Sequence, residues 1–288
     1  MTVKARRAFL CWLLGAAAGS AVAANDEPLP YPPKFLNVTP GKRTFRIFDG
    51  LLYSPMPDLR PLGMPKLRDA GSIWSANQPH TEVDPAGVAA AVRAVKRLTN
   101  DYYFDLEEWT VSNAPMDVIN SNIDKLAQVA RIARQTAPDA KFGFYDQVPR
   151  GNYWPILLNR TADLAQWHDI NKRSAAVAAN IDYCFPSLYT FYNDVAGWKT
   201  SAGSVLAEAR QYGKPVYPFL WPRFHNSNAA LKMAYIPRDF WREELEFCRD
   251  HADGCVLWGG FKELWDENAP WWEETKAFAT AMGLQPAA

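Results

Sequence analysis

The chain has 288 residues, with 31 Lys and Arg against 31 Asp and Glu, 22 Pro, 12 Trp, 12 Tyr and 15 Phe. Nearly half the residues are apolar, which excludes global disorder and allows a large core. The balanced charge argues against a nucleic-acid partner, and the excess of Trp and Tyr points to a surface that stacks on a ligand.

Residues 1–23 read as an export signal. Lys4, Arg6 and Arg7 form a basic start, Ala8 to Ala18 an apolar run, and Ala21-Val22-Ala23 a cleavage site before Ala24. Arg6-Arg7-Ala8-Phe9-Leu10 is similar to a twin-arginine core; an ordinary secretion signal is the alternative. The run is too short for a transmembrane helix, so an exported protein, periplasmic or extracellular and without stable membrane association, is expected. Removal of this segment leaves 28 basic and 31 acidic side chains, a net of −3. Residues 24–42 are Pro-rich and read as an extended arm, leaving 43–288 as a single domain.

β-rich runs then appear at 44–48, 71–75, 102–107, 141–146, 183–189, 215–220 and 254–258. Helical patterns lie between most of them, at 85–98, 117–136, 161–180, 195–212, 237–252 and finally 270–282. The gap 49–70 has no helical pattern. Strand starts 27 to 42 residues apart predict βα units and a parallel sheet. The fold class expected is α/β, a distorted (β/α) TIM-like barrel of seven or eight parallel strands. A doubly wound open sheet would want a Gly-rich phosphate loop after a strand, and none is present.

In such a barrel the site lies at the carboxyl ends of the strands. The third strand ends Tyr103-Phe104-Asp105-Leu106-Glu107-Glu108-Trp109. Alternation puts Tyr103, Asp105 and Glu107 on one face, and the apolar Phe104 and Leu106 on the other. Two carboxylates so close raise the pKa of one of them, which suits a proton donor to a glycosidic oxygen. Glu107, read as nearer the open end, is the expected acid, with Asp105 deeper and assisting. A salt-bridged acidic strand end is the competing reading. Other strand ends carry Tyr145 and Asp146, Tyr189, Tyr217 and Trp221, and Trp258. Their recurrence favours sugar binding over simple core packing. No Cys and His spacing suits a metal, and no cofactor is expected. Cys184, Cys248 and Cys255 remain after export. Cys248 and Cys255 are a candidate short bridge, with buried free thiols the alternative.

Asp105-Leu106-Glu107-Glu108-Trp109 resembles the Asp-x-Glu-x-Trp strand of the animal and venom hyaluronidases. Phe142-Gly143-Phe144-Tyr145, Pro186-Ser187-Leu188-Tyr189, Pro215-Val216-Tyr217-Pro218-Phe219 and Gly254-Cys255-Val256-Leu257-Trp258-Gly259 are similar to later segments of that family, in the same order. The resemblance implies a distorted barrel of about seven strands and a reaction in which the substrate's own acetamido oxygen attacks its anomeric carbon. It also implies that Glu107 is the acid, that Asp105 orients the acetamido group, and that Tyr189 and Trp258 hold the sugar. Phe219 stands where the family has a tyrosine that holds the acetamido carbonyl, with Tyr217 the nearest replacement on that face. Arg150-Gly151-Asn152-Tyr153 stands where the family has Asp-Cys-Tyr.

The polysaccharide or oligosaccharide hydrolase so implied has two competitors. One is a glycosidase that uses Asp146 or Asp49 as nucleophile or base, at about 5 Å or roughly 6.5–9.5 Å from the acid respectively. The other is a carbohydrate-binding barrel without turnover, in which loops 149–160 and 222–235 would plug the carboxylate pair.

Overall fold

A computed structural model describes residues 45–75 and 78–286; the export segment and the Pro-rich arm lie outside these. Among the described residues six strands form: β1 (Arg46–Leu51), β2 (Arg68–Asp69), β3 (Asp101–Phe104), β4 (Lys141–Phe144), β5 (Phe219–Leu220) and β6 (Gly254–Gly259). Eight helices join or follow them: α1 (Pro85–Lys96), α2 (Met116–Thr136), α3 (Tyr153–Leu157), α4 (Thr161–Arg173), α5 (Ala175–Ala178), α6 (Val195–Arg210), α7 (Arg238–His251) and α8 (Pro270–Ala281). Between β1 and β2 there is only a short 3-10 turn at Arg60–Leu62, in keeping with the missing helical pattern.

The strands make two three-stranded parallel sheets, in the orders β1-β6-β5 and β2-β3-β4. Isolated parallel bridges join them on both sides. Asp49 pairs with Lys66, ahead of β2, while Tyr145 with Phe185, Cys184 with Val216, and Ser187 with Phe219 lay residues 184–187 between β4 and β5. Six strands in two sheets therefore stand where seven or eight in one were expected, because Pro186 and Pro218 remove ladder donors from the fifth and sixth runs. The expected strand at 71–75 does not form either, and its place is taken by Arg68–Asp69. Ile73 and Trp74 instead pack with Val88, Val92 and Val95 of α1, so their apolar pattern serves a helix contact.

Local chemistry accounts for the helices. Asp84 accepts from the Ala86 and Gly87 amides at 3.1 Å, with Pro85 opening α1. Asp194 caps α6 through the Gly197 amide at 2.9 Å. In α2, Ile119, Ile123, Leu126, Ala130 and Ala133 recur at helical spacing and are all buried.

Alternation along the strands sorts the core into two layers. Ile47, Leu51, Cys184, Val216, Leu220, Cys255 and Leu257 pack under α6, α7 and α8, and Tyr102, Phe104, Phe142 and Phe144 under α1 and α2. The opposite faces of the same strands share one inner cluster, with Phe48, Tyr103, Tyr183, Phe185, Tyr217, Phe219 and Val256 at its centre. Gly143 lies on that inner face. A Cβ there would come 2.2 Å from the Tyr183 carbonyl oxygen and 2.9 Å from the Phe185 ring, so only glycine lets the 183–187 segment close against β4. Every pairing between the named strands is parallel, so they deliver their carboxyl ends to one side; an isolated bridge between Arg223 and Tyr235 is antiparallel. Cys184, Cys248 and Cys255 are buried free thiols, so the short bridge does not form.

Candidate active site

β3 ends at Phe104, and the chain then turns sharply. Leu106 stays buried in the outer layer, and Glu107–Trp109 form a 3-10 turn. Trp109 anchors this turn: its indole donates to the His80 carbonyl at 2.8 Å, and its edge meets the Trp74 ring at 5.0 Å. Glu108 points away, to His80 Nδ1 at 3.0 Å. From the other side, buried Gln147 donates to the Leu106 carbonyl at 3.3 Å. Glu107 is thus half-buried on a backbone fixed from two directions.

Burial pushes the Glu107 carboxyl above its ordinary pKa. Arg150 opposes that shift, while Asp146 and Glu108 reinforce it. Asp146 stands at the end of the next strand, β4. One expectation is corrected here. Asp105 is exposed and Glu107 is the deeper of the two, because the chain leaves the strand after Phe104 and the alternation stops. The field of Asp105 is felt by the Tyr103 and Tyr189 hydroxyls. Loops 149–160 and 222–235 leave Asp105 open to solvent.

Asp146 follows β4 with φ at +47°, a left-handed conformation uncommon for a residue with a side chain. That turn aims its carboxylate inward, where both oxygens are engaged. Oδ1 accepts from the Ser187 amide at 3.3 Å and the Gly151 amide at 3.4 Å, and Oδ2 takes Arg150 Nη1 at 2.6 Å. Burial nevertheless raises its pKa, against the opposing pull of Arg150 and the two amides. Arg150 is fixed by α4: its carbonyl accepts from the Trp167 indole at 2.6 Å, and its amide donates to Asn171 Oδ1 at 3.1 Å. The sequence reading missed Arg150 as a site residue, although its i,i+4 spacing from Asp146 was a usable signal.

The aromatic strand ends meet in one patch. Tyr145 and Tyr189 lie 5.9 Å apart, Tyr189 stacks on Trp258 at 5.7 Å, and Trp221 stands edge-on to Trp258 at 5.2 Å. The Tyr145 hydroxyl donates to Ser187 Oγ at 3.3 Å. Trp221 Nε1 is buried without an acceptor. It fits only because residue 259 is glycine at φ +142°: a Cβ there would stand 3.0 Å from that nitrogen. Tyr189 is held from behind, since its neighbour Thr190 donates to the buried Glu244 carboxyl. His225, also missed in sequence, faces Tyr189 at 6.4 Å, and burial depresses its pKa to about 4, so the ring is neutral at pH 7.

Two further candidates fall outside this patch. Tyr217 lies two residues before Phe219, and its ring packs on Phe48 at 5.1 Å and Tyr183 at 5.2 Å. Those contacts place it beside Phe48 and Tyr183 in the inner cluster. Phe219 itself lies under Tyr103 and Tyr145, 5.0 Å from each ring. Asp49 alternates with Ile47 and Leu51 toward the helix-covered side, paired with Lys66 Nζ at 3.0 Å. It is held in this ion pair away from the inner face that carries Phe48 and Tyr103. Among the described residues no group of three or more His, Cys, Asp or Glu could hold a metal ion, and no helix is long and apolar enough to cross a membrane.

No protein-family model matches the chain, and no curated protein matches it in sequence. Solved structures that align with the chain include bee venom hyaluronidase in complex with a hyaluronic acid tetramer, at 16% identity and a TM-score of 0.41 over 78% of this chain and 68% of that one. A glucosidase from Croceicoccus marinus aligns at 16% identity and a TM-score of 0.40, over 68% of this chain and 42% of that one. D-psicose 3-epimerase from Clostridium cellulolyticum aligns at 12% identity and a TM-score of 0.38, over 84% of this chain and 99% of that one.

Proposed function

We propose that this protein is a glycoside hydrolase that cleaves an N-acetylhexosamine-containing polysaccharide, with Glu107 as the proton donor. The observation that carries the reading is a half-buried carboxyl with a raised pKa beside a continuous patch of Tyr145, Tyr189, Trp221 and Trp258. The rings offer flat apolar faces to the C–H faces of a pyranose, while the Trp221 N–H offers an unused donor to a sugar oxygen. The sheets and the 184–187 segment are proposed to close as one seven-stranded parallel barrel through their isolated bridges. That closure gathers these residues at a single mouth.

The carboxylates favour substrate assistance over an enzymic nucleophile. Asp146 has both oxygens engaged, so attack on an anomeric carbon would cost it the Arg150 pair or the two amide bonds. In the proposed sequence Glu107 gives its proton to the glycosidic oxygen as the bond from that oxygen to the anomeric carbon breaks. The acetamido carbonyl oxygen of the same sugar bonds that carbon. Water then attacks the carbon, Glu107 takes the water's proton, and the acetamido group is released. Exposed Asp105 is suited to hold the acetamido N–H, and Arg150, paired with Asp146, opposes the rise that burial gives that carboxyl's pKa.

The test is a screen of purified protein starting at Ala24 against hyaluronan, chitin oligosaccharides and other polysaccharides, reading new reducing ends. Trp258→Ala should weaken binding of the substrate found by about 1 kcal/mol. Unchanged binding with a lower Tm would make Trp258 a core residue and remove the sugar platform. Export before action is part of the proposal, and N-terminal sequencing of secreted protein should begin near Ala24. A chain that still carries Arg6 and Arg7 would overturn it.

A further inference from the structure

We propose that Tyr153, Trp154 and Tyr192 form an outer sugar subsite that holds the same polysaccharide chain beyond the sugars at the mouth. This rests on the reading of the mouth as a carbohydrate site. The three residues lie on two elements, α3 and the loop ahead of α6, on the side of the fold where Glu107 and Asp146 stand. Trp154 is 46% exposed and Tyr192 37%, with their rings 5.1 Å apart and tilted by 59°. Tyr153 backs both, at 5.4 Å from Trp154 and 5.8 Å from Tyr192.

Packing does not account for these rings. The short helix α3 is seated by Pro155 and Leu157, which are buried, so Trp154 is not needed to hold it. Two large open faces side by side are the unusual feature, since isolated exposed apolar residues are ordinary and contiguous ones mark binding surfaces.

The occupant is argued from continuity. Four ring-to-ring steps join this patch to the mouth: Tyr189 to His225 at 6.4 Å, His225 to Phe191 at 4.8 Å, Phe191 to Tyr153 at 5.5 Å, and Tyr153 to Trp154. The path is aromatic throughout and carries no charged ring, because His225 is neutral at pH 7. Polar groups accompany it. Asp194 lies close enough to act on the Tyr153 hydroxyl, and Asn228 donates to the Phe191 carbonyl at 2.8 Å. Flat rings with polar neighbours match a chain of sugars, which shows C–H faces and hydroxyls in alternation. A site set this far from Glu107 adds affinity only for chains that span both places, which makes the enzyme prefer long substrates and internal bonds.

The experiment uses the Glu107→Gln protein, so that bound chains survive, and titrates hyaluronan and chitin oligosaccharides graded from disaccharide to decasaccharide. A Trp154→Ala, Tyr192→Ala double variant in that background should bind the shortest oligosaccharides unchanged and the longest about tenfold more weakly. Both residues are exposed, and an unchanged thermal unfolding curve checks that the fold is kept. Equal affinity of the two proteins for every length overturns the outer subsite, as does a double variant whose main effect is a change in self-association. Failure of the mouth itself looks different: Trp258→Ala would then leave short-chain binding untouched, or no oligosaccharide of either series would bind the parent protein.

Discussion

Glu107→Gln should lower kcat by at least about 10²-fold while leaving oligosaccharide affinity nearly unchanged. The amide keeps the shape and a hydrogen-bond donor, but it has no acidic proton for the leaving oxygen. The surrounding structure should not move, because the turn is fixed by Trp109 to the His80 carbonyl and by Gln147 to the Leu106 carbonyl, neither of which involves the Glu107 side chain. The raised pKa also sets the direction of the pH profile. A carboxyl that burial keeps protonated acts as an acid up to its own pKa, so the alkaline limb of the wild-type profile should lie above the ordinary glutamate range. Substrates without a 2-acetamido group should not turn over if the substrate supplies the nucleophile. Full activity of Glu107→Gln would remove this turn from the catalytic centre altogether.

Much of this site was legible because strand alternation is a local rule. Tyr103 on the inner face, with Phe104 and Leu106 in the outer layer, followed from period two alone, and the aromatic residues at strand ends gather in one cluster. The helices were legible for the same reason, since α2 and α7 carry strong one-sided patterns. The errors occur where the chain stops being regular. The strand does not continue through Asp105 and Glu107, so their relative depth was inverted. Asp49 looked like a strand-end carboxylate, but its partner Lys66 comes from the neighbouring strand, which a one-dimensional reading cannot pair with it. Residues 71–75 have the composition of a strand and the job of a helix contact. Arg150 reads in sequence as a departure from the hyaluronidase pattern, whereas in the fold its backbone is held by the Trp167 and Asn171 side chains of α4.

Asp146→Asn is the substitution that separates this arrangement from the sequence-only one. In the wild type Arg150 faces a carboxylate at 2.6 Å, and both side chains are largely buried. Asparagine keeps an oxygen for the Ser187 and Gly151 amides but turns an N–H toward the guanidinium. A buried cation then stands without its counter-charge, and breaking such a pair costs about 3–5 kcal/mol of stability. The kinetic consequence has a definite sign. Asp146 raises the Glu107 pKa and Arg150 lowers it. Removing the first and leaving the second uncompensated lowers that pKa, so Glu107 loses its proton earlier and the alkaline limb of kcat against pH moves down. Asp105→Asn should lower turnover chiefly through poorer placement of the acetamido group, the role proposed for that carboxylate beside the Tyr103 and Tyr189 hydroxyls. A Tm measured beside each pH profile keeps the two effects apart. If Asp105→Asn moves the limb and Asp146→Asn does not, the carboxylate pair read from the third strand is the working one, and the Glu107, Asp146 and Arg150 group is structural.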